Sequence, residues 1–136
     1  MKLREEIALF AVGGLIGLVI DAGIVQALVS GLHWNAYAAR VVSFLAAATA
    51  TWWWNRRRTF RHRRSGRSLA AEWLHWMALM SGGAAVNYAV YAACLLLSPA
   101  LHRWPAAAVA AGSVAAAGVN FLGARLMLFK RAKSSA

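Results

Sequence analysis

The sequence predicts an all-α membrane protein of four transmembrane helices, paired as two hairpins, with the N-terminus and C-terminus both cytoplasmic. Three observations predict it. Of 136 residues, 61% are apolar and only 14% charged, whereas soluble domains carry nearer a quarter charged residues. The apolar residues gather into four long runs rather than alternating with polar ones. The basic residues gather in the segments that a positive-inside arrangement leaves in the cytoplasm.

Crossing ~30 Å of hydrocarbon at ~1.5 Å per residue takes about 20 residues. The first span, 7–30, follows Lys2 and Arg4 and resembles a secretory signal at its start. Its apolar run continues past Ile20, longer than a cleavable core, and is broken by Asp21, so it reads as a retained helix. A tight outer turn, 31–35, leads to the second span, 36–54. A basic cytoplasmic loop, 55–68, then carries seven arginines: Arg56, Arg57, Arg58, Arg61, Arg63, Arg64 and Arg67. The third span is 69–97. The second outer turn, bracketed by Pro99 and Pro105, leads to the fourth span, 106–129, and then to Lys130, Arg131 and Lys133. Between the spans on the outer side the basic residue is Arg103, and this asymmetry places both termini inside. Residues 1–136 form one transmembrane domain. Gly13, Gly17 and the small residues of 46–50 and 106–118 let helices approach closely, which predicts a homo-oligomer.

The two halves repeat. Placing Asp21 over Asn87 aligns Phe10 with Trp76 and Gly17 with Gly83. Each half also ends in an arginine four residues before a phenylalanine, Arg56 to Phe60 and Arg125 to Phe129. Both halves begin and end inside, so they are parallel repeats about an axis along the membrane normal.

Several function classes fall away. A net charge of +11 suggests nucleic acid, but its placement between apolar spans answers to the positive-inside rule instead. His33, His62, His75 and His102 are scattered without ligand spacing, so no metal is expected. No phosphate-binding glycine loop is present, no cofactor is implied, and the four acidic residues form no catalytic pair. An enzyme is not expected. Cys94, the single cysteine, forms no internal disulfide.

Phe10-Ala-Val-Gly-Gly with Asp21, Asn55-Arg-Arg-Arg-Thr-Phe60, and Asn120-Phe-Leu-Gly-Ala-Arg-Leu-Met-Leu-Phe129 together resemble the GtrA-like family of small four-helix membrane proteins. The likeness runs over nearly the whole chain. It implies a role in moving a polyprenyl-phosphate-linked sugar across the bacterial inner membrane for cell-surface polysaccharide synthesis. It departs from the family at Trp52-Trp53-Trp54, and at Thr51, which stands where the second half has Asn120.

The candidate substrate-binding residues are Asp21, Arg40, Asn55, Arg56, Arg57, Asn87, Asn120 and Arg125. Arg56 and Arg125 occupy matched inner helix ends, and a guanidinium fork suits phosphate oxygens. The positive-inside rule alone also accounts for arginines there. Asp21 in mid-membrane needs a partner or a use: it either pairs with Arg40 or contacts substrate or a coupling proton. Arg40 either receives a phosphate in the outer half or snorkels to headgroups. Asn87, Asn120, Thr51 and Asn55 satisfy sugar hydroxyls or bridge helices. Trp52, Trp53, Trp54, Trp73 and Trp76 read as an inner aromatic belt, with Trp34 and Trp104 as the outer one, or else as a stacking platform for a sugar ring. The arginine run attracts anionic membrane lipids as well as a phosphorylated lipid. Two alternatives stand beside a flippase-type transporter: a small proton-coupled multidrug-type exporter using Asp21, and a membrane adaptor that recruits glycosyltransferases.

Overall fold

The computed structural model describes residues 1–103 and 105–131; Trp104 and Lys133, singled out above, lie outside them. The chain divides into two compact units. Among the described residues, one comprises Met1–Trp73 together with 129–131, the other Leu74–Leu128.

In the first unit, α1 spans Leu3–Gln26 and runs on as a π turn, Ala27–Gly31. Glu5 closes its N-terminus by accepting the Lys2 backbone N–H at 3.0 Å, and the acidic first turn complements the helix dipole. Asn35 caps α2, Ala36–Trp54, its Oδ1 accepting from the backbone N–H of Tyr37 at 2.8 Å. The expected loop after α2 starts later than its charge suggested. The helix continues as a π turn over Asn55–Thr59, so three of the seven arginines are helical. A two-residue strand β1, Arg63–Arg64, pairs antiparallel with β2, Lys130–Arg131.

Close approaches fix how α1 lies on α2. A Cβ at Gly13 would stand 2.7 Å from the Trp54 ring, and one at Gly17 2.6 Å from the Thr51 methyl. The Trp54 indole donates to the Leu9 carbonyl at 2.9 Å. Residues early in α1 therefore meet residues late in α2, and the hairpin is antiparallel.

The helix α3, Leu69–Leu97, starts in the first unit and from Leu74 belongs to the second, where it is followed by a short 3-10 turn, Pro99–His102, and by α4, Pro105–Gly123, which again ends in a π turn, Ala124–Leu128. Gly83 faces the Asn120 side chain, Gly112 faces Asn87, and Gly123 faces Leu79. This hairpin is antiparallel too.

The repeat seen in the sequence is also a repeat of contacts. Gly17 lies against Thr51 and, at the matched positions, Gly83 lies against Asn120. The π turns Asn55–Thr59 and Ala124–Leu128 occupy matched places, with Arg56 and Arg125 second in each. One turn further along, the sizes are exchanged. Small Gly13 on the first helix faces large Trp54 on the second, whereas Leu79 on the third faces Gly123 on the fourth.

Among the described residues, three helical stretches are long and apolar enough to cross a membrane: Leu3–Gly31, Leu69–Leu97 and Ala107–Leu128. The most apolar window of the second is only 6% buried, and Leu15, Val19, Leu96 and Leu97 stand exposed. Apolar surface on that scale belongs against lipid. The fourth helix, α2, is present, but Arg40, Ser43 and Trp52-Trp53-Trp54 dilute its hydropathy below that of the others.

Candidate anion-binding site

The site is built where the first hairpin ends. Asn55 and Thr59 are both about 1% exposed. The Asn55 amide donates to the Thr51 carbonyl at 2.8 Å, and its Oδ1 accepts the Thr59 hydroxyl at 2.6 Å. The widened π turn disrupts the regular backbone ladder, and this side chain occupies the gap. Asn55 is thereby committed to its own helix.

The three arginines that follow leave the turn in different directions. The Arg57 guanidinium lies 4.4 Å from the Trp53 ring centroid and that of Arg58 5.9 Å from Trp54, both within cation–π range. Arg56 Nε lies 3.0 Å from Glu72 Oε1. Beyond the turn, Phe60 stacks on Phe129 with centroids 5.1 Å apart and planes at 15°. That contact, with the β1–β2 ladder, anchors the connection.

Two buried carboxylates organise the charge. Glu6 is 4% exposed and Glu72 2%. Glu6 takes the Arg63 guanidinium at 2.9 Å, both side chains nearly inaccessible. Glu72 Oε1 also accepts the Trp52 indole N–H at 3.0 Å, and its Oε2 accepts the Ser65 hydroxyl. Burying a carboxylate is tolerable only with such partners.

Around Glu72 opens a cavity of about 280 Å³, lined by Arg56, Arg61, Arg63, Arg64, Ser65, Gly66, Arg67, Glu72 and Phe129. Gly66, at φ +70°, lets the backbone turn in a conformation side-chain-bearing residues rarely adopt. Five guanidinium groups face one carboxylate. The volume falls just below the usual range of ligand pockets, about 300–1,000 Å³, which suits a compact anionic head rather than an apolar tail. Planar guanidinium forks match phosphate oxygens in pairs.

The sequence-predicted residues are distributed rather than gathered. Arg56 lines the cavity, while Arg57 is turned onto Trp53. Arg40 Nη1 donates to both oxygens of Asp21 at 2.9 and 3.0 Å, the Arg40 side chain being 60% exposed. In the second unit, Asn87 lines an open groove of about 310 Å³ with Tyr88, Tyr91 and Val109. Asn120 packs on Gly83, its Oδ1 buried with no hydrogen-bond partner. Arg125 is half-buried.

Sequence reasoning passed over Glu6 and Glu72. The signal was there: each stands four residues before the aromatic of its repeat, Phe10 or Trp76. The tryptophans Trp52, Trp54 and Trp73, read above as belt residues or as a stacking platform for a sugar, are hydrogen-bond donors as well. Their indoles donate to Glu72, to the Leu9 carbonyl and, at 2.9 Å, to the Thr49 hydroxyl.

Two comparisons bear on this arrangement. The family model described as GtrA/DPMS, transmembrane domain, matches residues 9–135. No curated protein matches the chain.

Proposed function

Since the chain belongs to the GtrA/DPMS transmembrane-domain family and is a multi-pass membrane protein, we propose that it is a flippase-type carrier. It moves a polyprenyl-phosphate-linked monosaccharide from the inner to the outer leaflet of the bacterial inner membrane, supplying cell-surface polysaccharide synthesis. The arginine-lined cavity beside Glu72 is the observation that carries this reading. With four spanning helices and both termini cytoplasmic, the cavity faces the cytoplasm at the inner interface, where the lipid-linked sugar is made.

Arg56 and its neighbouring arginines collect the phosphate while the prenyl chain stays in lipid. Field from the clustered guanidinium groups raises the local concentration of anionic lipid, at ~1 kcal/mol per arginine near the surface. Arg125 is the counterpart of Arg56 at the matched place in the second hairpin. In the second unit, Asn87, on its open groove with Tyr88 and Tyr91, offers an amide to a sugar hydroxyl. The Asp21–Arg40 pair closes the polar path in the outer half, Arg40 exchanging its carboxylate for the phosphate. Net direction comes from synthesis of the lipid-linked sugar inside and its consumption outside.

The salt bridge also weighs against a proton-coupled exporter, because Asp21 is already engaged by Arg40 and a basic entrance repels cations. The test is head-group exposure in reconstituted vesicles. Protein-dependent transfer of a polyprenyl-phosphate sugar, lost in the Asp21→Ala and Arg125→Ala double variant, supports the proposal. Equal exposure with and without protein, or full activity of the double variant, sinks it. Co-purification of a glycosyltransferase without lipid movement decides for an adaptor.

A further inference from the structure

Glu72 is held in a way that a purely structural carboxylate is not. It is 2% exposed, yet it forms part of the wall of the arginine cavity, and its three side-chain partners all come from the segments that shape that cavity. Arg56 comes from the π turn, Ser65 from the loop beside Gly66, and Trp52 from the end of α2. Arg56 Nε lies 3.0 Å from Oε1 and is itself buried, yet its N–H forms no aligned hydrogen bond there. Its grip is by charge at close range rather than by a formed fork. Glu6 contrasts with it: Arg63 makes a true hydrogen bond to Glu6 at 2.9 Å.

We propose that Glu72 is an internal stand-in for the ligand's phosphate, neutralising Arg56 while the cavity is empty and yielding it when a phosphate enters. The inference rests on the phosphate-binding reading of the cavity and adds how that site is opened and closed. A carboxylate and a phosphate present the same kind of acceptor oxygen to Arg56 and Ser65. The phosphodiester of a polyprenyl-phosphate sugar carries one negative charge, as Glu72 does, but its two free oxygens reach several of the five cavity guanidinium groups at once, whereas Glu72 holds Arg56. As Glu72 yields, it releases the Ser65 hydroxyl and the Trp52 indole. Phosphate binding is thus transmitted to the Ser65–Gly66 turn and to the end of α2. A ligand without phosphate does not make this exchange.

Inorganic phosphate titrated into the full-length protein in nanodiscs of neutral lipid tests the exchange. Glu72→Gln keeps an oxygen for Trp52 and an amide for Ser65 but removes the competing charge. It is expected to bind phosphate about tenfold tighter than wild type, the penalty lifted from a site open roughly a tenth of the time. Glu6→Gln, in the matched acid of the other repeat, is expected to shift the affinity less. A second readout needs no change at Glu72: phosphate alters tryptophan emission in wild type, and Trp52→Phe removes most of that change. Equal or weaker binding by Glu72→Gln, or a phosphate-induced signal that survives in Trp52→Phe, overturns the exchange while leaving the phosphate site standing. Absence of phosphate binding in both proteins overturns the site itself and the exchange with it.

Discussion

Replacing Gly83 by alanine puts two effects in opposition, and the structure says which wins. A methyl group there would overlap the Asn120 side chain, whose amide nitrogen would lie 2.6 Å away. Overpacking of this kind typically costs about 1–3 kcal/mol. Against it, alanine in a helix is favoured over glycine by about 0.5–1 kcal/mol. The net expectation for Gly83→Ala is a loss of about 0.5–2 kcal/mol. Asn120→Ala alone should lose little, because its Oδ1 makes no hydrogen bond to forfeit, and an unsatisfied group contributes nothing favourable by being kept. Together the two changes should be at least as stable as wild type, a coupling of about 1–3 kcal/mol between neighbours. Gly14→Ala is the control, since a methyl group there meets no atom within 4 Å; its expected effect is zero to slightly stabilising. Unfolding in mixed micelles as a function of denaturing detergent, followed by tryptophan emission, measures all four. A double variant no more stable than Gly83→Ala would refute the claim that Asn120 alone stands in the way.

Other outcomes follow from the charge network. Arg63→Ala takes the guanidinium from a carboxylate buried with it and should destabilise by about 3–5 kcal/mol in the same unfolding assay. Trp52→Phe forfeits an N–H to buried Glu72, a hydrogen bond to a charged group worth about 1.5–3 kcal/mol. Neutralising Arg61, Arg64 and Arg67 together should weaken the preference for anionic over neutral lipid by about 3 kcal/mol, ~1 kcal/mol for each, read by native mass spectrometry of lipid retained from mixed-lipid nanodiscs, with a shallower salt dependence. Arg57→Ala, its guanidinium stacked on Trp53 and outside the cavity wall, should leave phosphate affinity within about twofold, since an exposed cation–π contact is worth about 0.5–1 kcal/mol to the local fold.

The helices were legible because hydrocarbon imposes a length and a composition on each, and 36–54 and 69–97 coincide with α2 and α3. The family was legible from motifs around Phe10, Asn55 and Asn120, and the match over residues 9–135 shows it. The end of α2 was harder to read. Arg56-Arg57-Arg58 looks like solvated loop by charge, yet Asn55 and Thr59 hold it in a helical turn through side-chain bonds that periodicity does not reveal. The β1–β2 ladder is two residues long, too short for any alternation to register. The gathering of Arg61, Arg63, Arg64 and Arg67 around Glu72 depends on a loop that takes a positive φ at Gly66. A count of positive charge predicts a side of the membrane but not which guanidinium groups converge.

The exchanged sizes along the two hairpins bear on how the chain avoids assembling wrongly. Helices of so similar a pattern, inserted one after another, offer alternative partners: the first helix has glycine where the third has leucine, and the second has tryptophan where the fourth has glycine. A hybrid of the first and fourth helices would set glycine against glycine and leave a void. A hybrid of the third and second would force leucine onto tryptophan. Each cross-match is penalised, by a cavity in one case and by overpacking in the other. The two halves share a common plan, and this reciprocal change in bulk favours each helix pairing with its own neighbour.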